Sequence, residues 1–347
     1  MRRADHELDA ASSGFSDEEL EQLSVSSLYE HGLSPWAAWE SENSSFGKTF
    51  RKWACYPSVL PLCISSDHGV HWESRCWPNE VKNKYRTFFT WHKKKSGLMG
   101  KEHGKKSYHV PHPWVFYRRK YLPNTPANRR GTLVFYAHSN STTTPLYENL
   151  DNYINDLKSL PEKFQPVVIC LSFHDIQKGL HKELRKYGIP LVTAGTTASQ
   201  KFVDRFYSLV YKFRFASSSN VGSHTFYIME AGVPFFLFGP CPEYHIKGSA
   251  AVKDGKQDLR DYGDEDDILN LARFKELLSS PQDEVTPEQY ALVTEYLGMD
   301  SKMTRLKASL ILWRELFLHL DEVAWAYAKL FLRAASKVKS FIFFRAR

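Results

Sequence analysis

The second half of the chain repeats one pattern, a short β-branched or aromatic run followed by a stretch long enough for a helix. This alternation is typical of βαβ units that form a parallel sheet. The runs predict strands at Thr132–Ala137, Val167–Leu171, Pro190–Thr193, Phe213–Ala216 and Phe235–Phe238. The predicted helices between them lie near Leu146–Leu160, Ile176–Tyr187, Ser199–Tyr211 and Ser223–Ala231. We therefore expect a doubly wound α/β half between residue 131 and about residue 240.

The first half has a weaker pattern of the same kind. Apolar runs at Val59–Ile64, Arg86–Trp91 and Tyr108–Val110 alternate with basic loops and predict a compact first α/β domain. A capping-box pair, Ser16 and Glu19, predicts one short helix in an otherwise weakly ordered lead-in. We expect four segments: 1–45 as lead-in, 46–130 as the first domain, 131–300 as a Rossmann-like domain, and 301–347 as C-terminal helices.

Length and cysteine content fit this division. A chain of 347 residues that is 42% hydrophobic has room for two domains with real cores. Its five cysteines are odd in number and lack CxxC spacing, so we expect reduced, mostly buried thiols without a zinc site. The N-terminal residues carry no apolar core behind their arginines, which indicates a cytosolic protein without a secretory signal.

Positive charge is concentrated in two segments, although the net charge is only +7. Residues 82–130 hold 14 Lys and Arg against the single acid Glu102, and residues 329–347 hold six bases and no acid. These segments are expected to face an anionic partner, although a solvated basic surface remains the alternative. Within Leu316–Phe344, apolar residues recur every three or four positions beside basic ones. This spacing predicts an amphipathic helix that lies on an anionic membrane surface without spanning it; its first half could instead pack against the first domain.

Polar loops follow every predicted strand of the second half. They read HSNSTTT at 138–144, FHDIQ at 173–177, AGTT at 194–197, SSSNVGS at 217–223 and GPCPEY at 239–244. Ligands bind outside the carboxyl ends of the strands in sheets of this type. The small hydroxyl, amide and imidazole groups of these loops therefore predict a ligand site at that edge.

The SSSNVGS loop opens a predicted helix, where free N–H groups and the helix dipole favour a phosphate. His174 and His138 end neighbouring strands and are expected to neutralise or protonate a leaving phosphate. Glu230, two turns along the helix, is expected to hold a ribose or sugar hydroxyl pair, or else to be solvated. The predicted donor-binding residues are His138, Ser139, Asn140, Ser141, Ser217, Ser218, Ser219, Asn220, Gly222, Ser223, His224 and Glu230.

In the first half, an apolar strand ends in Asp67-His68-Gly69. A carboxylate at such a strand end, beside a flexible glycine, is placed to take a proton from an attacking hydroxyl. The alternative is an Asx-turn that only closes the strand. The predicted catalytic residues are Asp67, His68 and His174, whereas Pro111–Trp114 is interpreted as a rigid turn.

These segments together resemble a known family. Residues 64–70, 88–92, 109–119, 131–142, 167–176 and 215–239 are similar to bacterial lipopolysaccharide and capsular-polysaccharide glycosyltransferases of the GT-B type. A looser similarity joins the chain to bacterial sialyltransferases and Kdo transferases, through Asp67–Gly69 and Ser217–Ser219. In the second motif of that group the chain departs from the pattern, because His174-Asp175 stands where a His-Pro pair is expected.

The resemblance implies two Rossmann-like domains that face a cleft, with a C-terminal amphipathic helix. It implies transfer of a hexosyl or nonulosonate sugar from a nucleotide donor to a lipid-linked or growing surface polysaccharide, at the inner face of the cytoplasmic membrane. Asp67 would be the base, and neither a metal nor a further cofactor is expected. Two alternatives are a sugar-nucleotide epimerase of similar shape and a non-catalytic protein that binds anionic lipid or nucleic acid; no nucleic-acid module is recognised in the sequence.

Overall fold

A computed structural model describes residues 13–25, 39–122, 128–140, 143–246, 265–325 and 327–328. Within them the protein is an α/β fold built on parallel sheets, as the sequence predicts. The helices α1 to α6 precede the second half and span Asp17–Ser24, Trp39–Glu42, Phe46–Ala54, Pro78–Lys82, Lys93–His103 and Pro113–Tyr121.

The first half contains a small parallel sheet. Its strands β1 (Ser65–Ser66), β2 (Thr87–Thr90) and β3 (Lys106–His109) pair in chain order. The helices α4 and α5 connect them, so each link is a βαβ crossover. The predicted run at Val59–Ile64 does not itself form a strand, because the pairing begins one residue later at Ser65.

The second half contains a sheet with the order β7-β6-β4-β8-β9, and all its strands are parallel. The strands span β4 Thr132–Phe135, β6 Val167–Cys170, β7 Leu191–Val192, β8 Phe215–Ser218 and β9 Phe235–Leu237. The helices α7 to α11 span Leu150–Lys158, Phe173–Gln177, Leu180–Leu184, Phe202–Val210 and Ser223–Glu230. The chain runs outward from β4 to β7 and then returns to β8, so the strand order reverses between β4 and β8. This reversal is where a doubly wound sheet forms its ligand crevice.

All five strands predicted for this half are confirmed, with shifted ends. The largest strand difference is β8, which continues through Ser217 and Ser218 because both backbones pair with β4 on one side and β9 on the other. The helix predicted at Ile176–Tyr187 is broken into α8, α9 and a short 3-10 turn. Gly179 separates them with a φ of +85°, a left-handed conformation that ends a helix.

A two-stranded antiparallel ribbon was not predicted. Strand β5 (Thr143–Leu146) pairs with β10 (Glu243–Ile246), which follows the last strand of the large sheet. The helix predicted from Leu146 accordingly begins at Leu150, after the Asn149 side chain accepts a hydrogen bond from the Asn152 N–H.

The hydrophobic core is continuous across residue 130. Phe89 and Trp114 from the first half and Leu133 and Tyr227 from the second belong to one buried cluster. A second cluster, around Tyr153, lies on the other face of the large sheet. The remaining helices α12 to α14 span Glu265–Leu278, Pro287–Tyr296 and Arg305–Leu318. None of the helices described here combines the length and apolar character that crossing a bilayer requires. The first part of the predicted interfacial face at Leu316–Phe344 instead packs against the protein, because Leu316 and Val323 are buried in the core. Residues 329–347 lie outside the described residues.

Candidate functional site at the carboxyl edge of the large sheet

The loop after β8 is held by the β5–β10 ribbon. The Asn220 amide donates a hydrogen bond to the Tyr244 hydroxyl at 2.9 Å, and the Ser219 hydroxyl lies 3.0 Å from that of Tyr147. At the end of β8, the Ser218 hydroxyl donates a hydrogen bond to the Asn220 side-chain oxygen. Because each partner is an uncharged polar group, the loop is fixed in place without placing a charge at the edge.

Ser217 and Ser218 lie within β8 and are fully buried, so neither belongs to the loop as predicted. The Ser217 hydroxyl has no hydrogen-bond partner among the described residues. A buried polar atom without a partner is uncommon in folded proteins.

Three histidines gather at this edge. His138 follows β4, His174 lies in α8, and His224 lies in the first turn of α11. Burial lowers the pKa of His174, and the nearby His138 lowers it further. Burial also lowers the pKa of His224 to about 3, with His138 again adding to the effect. His174 and His224 are therefore neutral at pH 7, and the His224 Nε2 is buried without a partner among the residues described.

Asp175 is a further member that the prediction did not include among the site residues. Its side chain is fully buried, and one oxygen accepts a hydrogen bond from the Ser139 N–H at 2.9 Å. The other oxygen is buried and has no partner within the described part of the chain. Burial raises the pKa of this carboxyl group. The unpartnered oxygen is available for a hydrogen bond with a polar ligand group.

The first-half loop that follows β1 sits on the start of α11. The Ser223 hydroxyl accepts a hydrogen bond from the Val70 N–H at 2.9 Å and donates one to the Val70 carbonyl at 3.1 Å. A Cβ at Gly69 would come 2.7 Å from the same hydroxyl, so the contact requires glycine. The two halves therefore meet beside the predicted phosphate loop, and this meeting uses the Ser223 hydroxyl.

The Asp67 side chain is buried in this contact region and does not face solvent. Its side chain is 1% exposed; one carboxylate oxygen lies 2.5 Å from the Lys95 Nζ, and the other accepts a hydrogen bond from Thr90. Lys95 also lies 2.8 Å from a carboxylate oxygen of Glu80. Burial disfavours the lysine charge, but the two carboxylates outweigh it and raise the pKa of Lys95. Lys95 therefore draws the Asp67 carboxylate inward, which corrects the expectation that it faces a cleft.

His68 is the more accessible member of the Asp67-His68-Gly69 motif. Its side chain is 29% exposed, and its Nδ1 lies 3.6 Å from a Glu80 oxygen. His71 lies beside it, with ring centroids 4.8 Å apart and its own Nδ1 3.5 Å from Glu73. Burial raises the pKa of Glu73 to about 7. The first half thus places imidazoles backed by carboxylates next to the start of α11.

The Glu230 carboxylate forms ion pairs with two arginines and does not take part in the site at the carboxyl edge. Its fully buried carboxylate accepts two hydrogen bonds of 2.7 Å from Arg118 and one of 2.9 Å from Arg119. The ion pair joins α6 to the end of α11, so this carboxylate is not open to a sugar hydroxyl. The interpretation of the nearby Pro111–Trp114 segment as a rigid turn is wrong, because Pro113 and Trp114 are the first residues of α6. Buried His112 caps this helix and lies 3.0 Å from the Tyr227 hydroxyl.

Most of the predicted donor-binding residues therefore lie at the carboxyl edge of the large sheet, whereas a few lie elsewhere. His138, Ser139, Asn140, Ser219, Asn220, Gly222 and His224 lie there or in the loops beside it. Ser141 lies outside the described residues. Asp175, Tyr147 and Tyr244 were missed as site residues, although Asp175 lies in the predicted loop FHDIQ and Tyr244 in the predicted loop GPCPEY. In the described ranges, no group of three or more His, Cys, Asp or Glu side chains has the arrangement to hold a metal ion.

Comparison with protein-family models, with curated proteins and with solved structures finds no match to this chain.

Proposed function

We propose that the protein is a glycosyltransferase that moves a sugar from a nucleotide-sugar donor to a lipid-linked or growing surface polysaccharide. One observation carries the proposal. Neutral histidines and the buried, unpaired polar atoms of Asp175 and His224 lie at the edge where the strand order of a doubly wound sheet reverses. Such atoms cost stability unless something pairs with them, so their concentration at a ligand crevice favours a bound polar molecule.

The donor would lie along the carboxyl ends of β4 and β8. Backbone N–H groups at the start of α11 would hold its phosphate, and Gly222 allows close approach. His138 and His174 would donate hydrogen bonds to the leaving phosphate oxygens. Asp175 would accept a hydrogen bond from a hydroxyl or amino group of the nucleoside or sugar.

The acceptor would be activated by His68, with Asp67 as a positioning residue. His68 would take the acceptor hydroxyl proton while the acceptor oxygen bonds the anomeric carbon and the bond to the donor phosphate oxygen breaks. The Glu80 carboxylate, 3.6 Å away, would stabilise the imidazolium that forms. Lys95 contacts both Asp67 and Glu80, and these two contacts would fix the orientation of the Glu80 carboxylate.

The wider setting of the reaction follows the resemblance described above. The two sheets would form a GT-B-like pair of halves, and the enzyme would work without a metal at the inner face of the cytoplasmic membrane. The basic first half supports an anionic acceptor only in part, because some of its charges are used internally: Lys95 is buried, and Arg118 pairs with Glu230.

A transfer assay with the full-length protein tests this proposal. The protein is incubated with single nucleotide sugars, with or without a lipid-diphosphate-linked saccharide, and release of the nucleoside phosphate is measured. We expect acceptor-dependent release with one nucleotide class. Interconversion of the nucleotide sugar without an acceptor would instead establish the epimerase alternative, and no reaction with any donor would refute both.

A further inference from the structure

Residues 13–25 lie against the outer edge of the large sheet. The Phe15 N–H donates a hydrogen bond of 2.8 Å to the carbonyl of Leu191 in β7, the last strand of the sheet on that side. Helix α1 follows, and its Leu20 side chain is fully buried in the same core cluster as Ile176 of α8. Residues 13–25, which we call the N-terminal strap, therefore pack on both β7 and α8.

The end of the N-terminal strap is bonded to two loops of the carboxyl edge. The Gln177 side-chain amide, from the loop FHDIQ, donates a hydrogen bond of 3.0 Å to the Ser24 carbonyl. The Thr196 N–H, from the loop AGTT, donates one of 2.9 Å to the Leu23 carbonyl. A Cβ on Gly195 would come 2.7 Å from that carbonyl oxygen, so this close approach requires glycine. The strap thus engages polar groups of two loops that the sequence assigns to the ligand site.

Helix α8 depends on contacts with other elements for its orientation. It has five residues, and a helix this short is not stable by itself. It nevertheless carries His174 and Asp175, two of the groups proposed to meet a ligand. At its start the Ser172 hydroxyl accepts a hydrogen bond from the His174 N–H at 3.2 Å. At its end the bond from Gln177 to the Ser24 carbonyl ties it to the strap. The strap therefore fixes the end of α8 that the cap does not reach.

We propose that the N-terminal strap positions the candidate site, with Gln177 as the positioning residue. Docking of the strap holds α8 and the loop after β7 in the arrangement that presents His174 and Asp175 to a ligand. Strap docking and ligand binding are then coupled, because a ligand that contacts α8 stabilises the same arrangement that the strap binds. The inference rests on the proposed function for the identity of the ligand, but the coupling between the strap and α8 is measured without one.

Amide hydrogen exchange of the full-length protein, followed by mass spectrometry, tests the coupling without ligand. Wild type is compared with Gln177→Leu, which changes an exposed side chain and removes the bond to the strap. Gln165→Leu is the matched control, because the Gln165 amide also donates to backbone carbonyls, but before β6 at the opposite end of the sheet. In Gln177→Leu, exchange of residues 13–25 and 173–197 should rise together by about two- to tenfold, the effect of one lost hydrogen bond. The control should leave both regions unchanged.

Unchanged exchange in Gln177→Leu, or an equal rise throughout the chain, would overturn the proposal, since the strap would then only add stability. The measurement is repeated on wild type with CMP, UDP, GDP or dTDP. At a concentration of about 100 Kd, a nucleotide that binds should slow exchange of residues 13–25 at least tenfold.

The outcomes of the two measurements separate the two proposals. Nucleotide binding that leaves exchange of residues 13–25 unchanged refutes the positioning role alone and leaves the transferase proposal standing. If wild type binds none of the four nucleotides, the transferase proposal fails, and the ligand-free comparison of Gln177→Leu with its control decides the positioning role.

Discussion

The Asp67–Lys95–Glu80 triad of the first half and the carboxyl edge of the large sheet differ in how their buried polar groups are paired. In the triad, the buried Lys95 Nζ lies 2.5 Å from an Asp67 carboxyl oxygen and 2.8 Å from a Glu80 carboxyl oxygen. At the carboxyl edge of the large sheet, His224 and Asp175 are also buried, yet each keeps a polar atom without a partner among the described residues.

This difference indicates which region supports the fold and which region binds a ligand. A buried charge that is fully matched adds rigidity and is costly to break, but it has no free atom to offer a ligand. A buried polar atom that lacks a partner is costly in the ligand-free protein, and a ligand that supplies the partner removes that cost. We therefore assign support to the Asp67–Lys95–Glu80 triad and binding to the carboxyl edge.

The largest effect is expected from breaking the triad. Lys95→Met leaves two carboxylates buried without their counter-ion and should lower the free energy of unfolding by about 3–5 kcal/mol. Urea unfolding measures the loss. Lys94→Met is the control, since Lys94 is partly exposed and lies 3.7 Å from its acidic partners, so its loss should stay below about 1 kcal/mol. Equal stabilities of the two variants would show that the triad does not support the fold.

Catalysis should depend on His68 more directly than on Asp67. His68→Gln removes the proposed base while keeping an amide in its place, so kcat should fall by about 10²–10⁴ with donor affinity retained. Asp67→Asn should lower both stability and kcat, because it alters the partner of Lys95. A transfer assay with a thermal-shift measurement of donor binding separates the two. If His68→Gln retains full kcat, the base lies elsewhere.

The buried Glu73 carboxyl group should make the free energy of unfolding fall as the pH rises. Its folded-state pKa is raised by burial from 4.5 to about 7, so the folded protein binds more protons than the unfolded chain between these values. Relative to Glu73→Gln, wild type should lose about 1–3 kcal/mol of stability between pH 4.5 and 7.5. Urea unfolding of both proteins across this range measures the difference. Parallel pH profiles would contradict the burial of this carboxyl group.

The smallest effect concerns the contact between the two halves. Ser223→Ala removes the hydroxyl that bonds the backbone of Val70, and it should destabilise the protein by about 0.5–1.5 kcal/mol. Nucleotide binding should persist, because that hydroxyl is already engaged. Loss of nucleotide binding without loss of stability would instead return Ser223 to the phosphate site.

The large sheet was predictable because its signals are local. Each strand is a short apolar run next to a helical stretch, and parallel pairing brings the loops after the strands to one edge. The β5–β10 ribbon was not predictable in this way. Its strand Thr143–Leu146 is polar, and its partner at Glu243–Ile246 lies about 100 residues later, so neither segment signals the other.

The side-chain partners inside the site also could not be predicted from the sequence. Lys95 stands 28 residues after Asp67 in a basic run that resembles an anion-binding surface. Arg118 stands 112 residues before Glu230. Sequence patterns identify a carboxylate at a strand end or on a helix. Whether a Lys or Arg side chain forms an ion pair with that carboxylate depends on how distant elements pack.

The most direct test of the assignment is nucleotide binding at the carboxyl edge. Thermal shifts of wild type are measured with CMP, UDP, GDP and dTDP, and repeated with His138→Gln/His174→Gln and with His68→Gln. At a concentration of about 100 Kd a ligand adds ~2.7 kcal/mol of stability, enough for a clear shift in Tm. The account predicts that one nucleotide raises the Tm of wild type and of His68→Gln but not of the double variant. A double variant that responds like wild type, or a wild type that responds to no nucleotide, would contradict it.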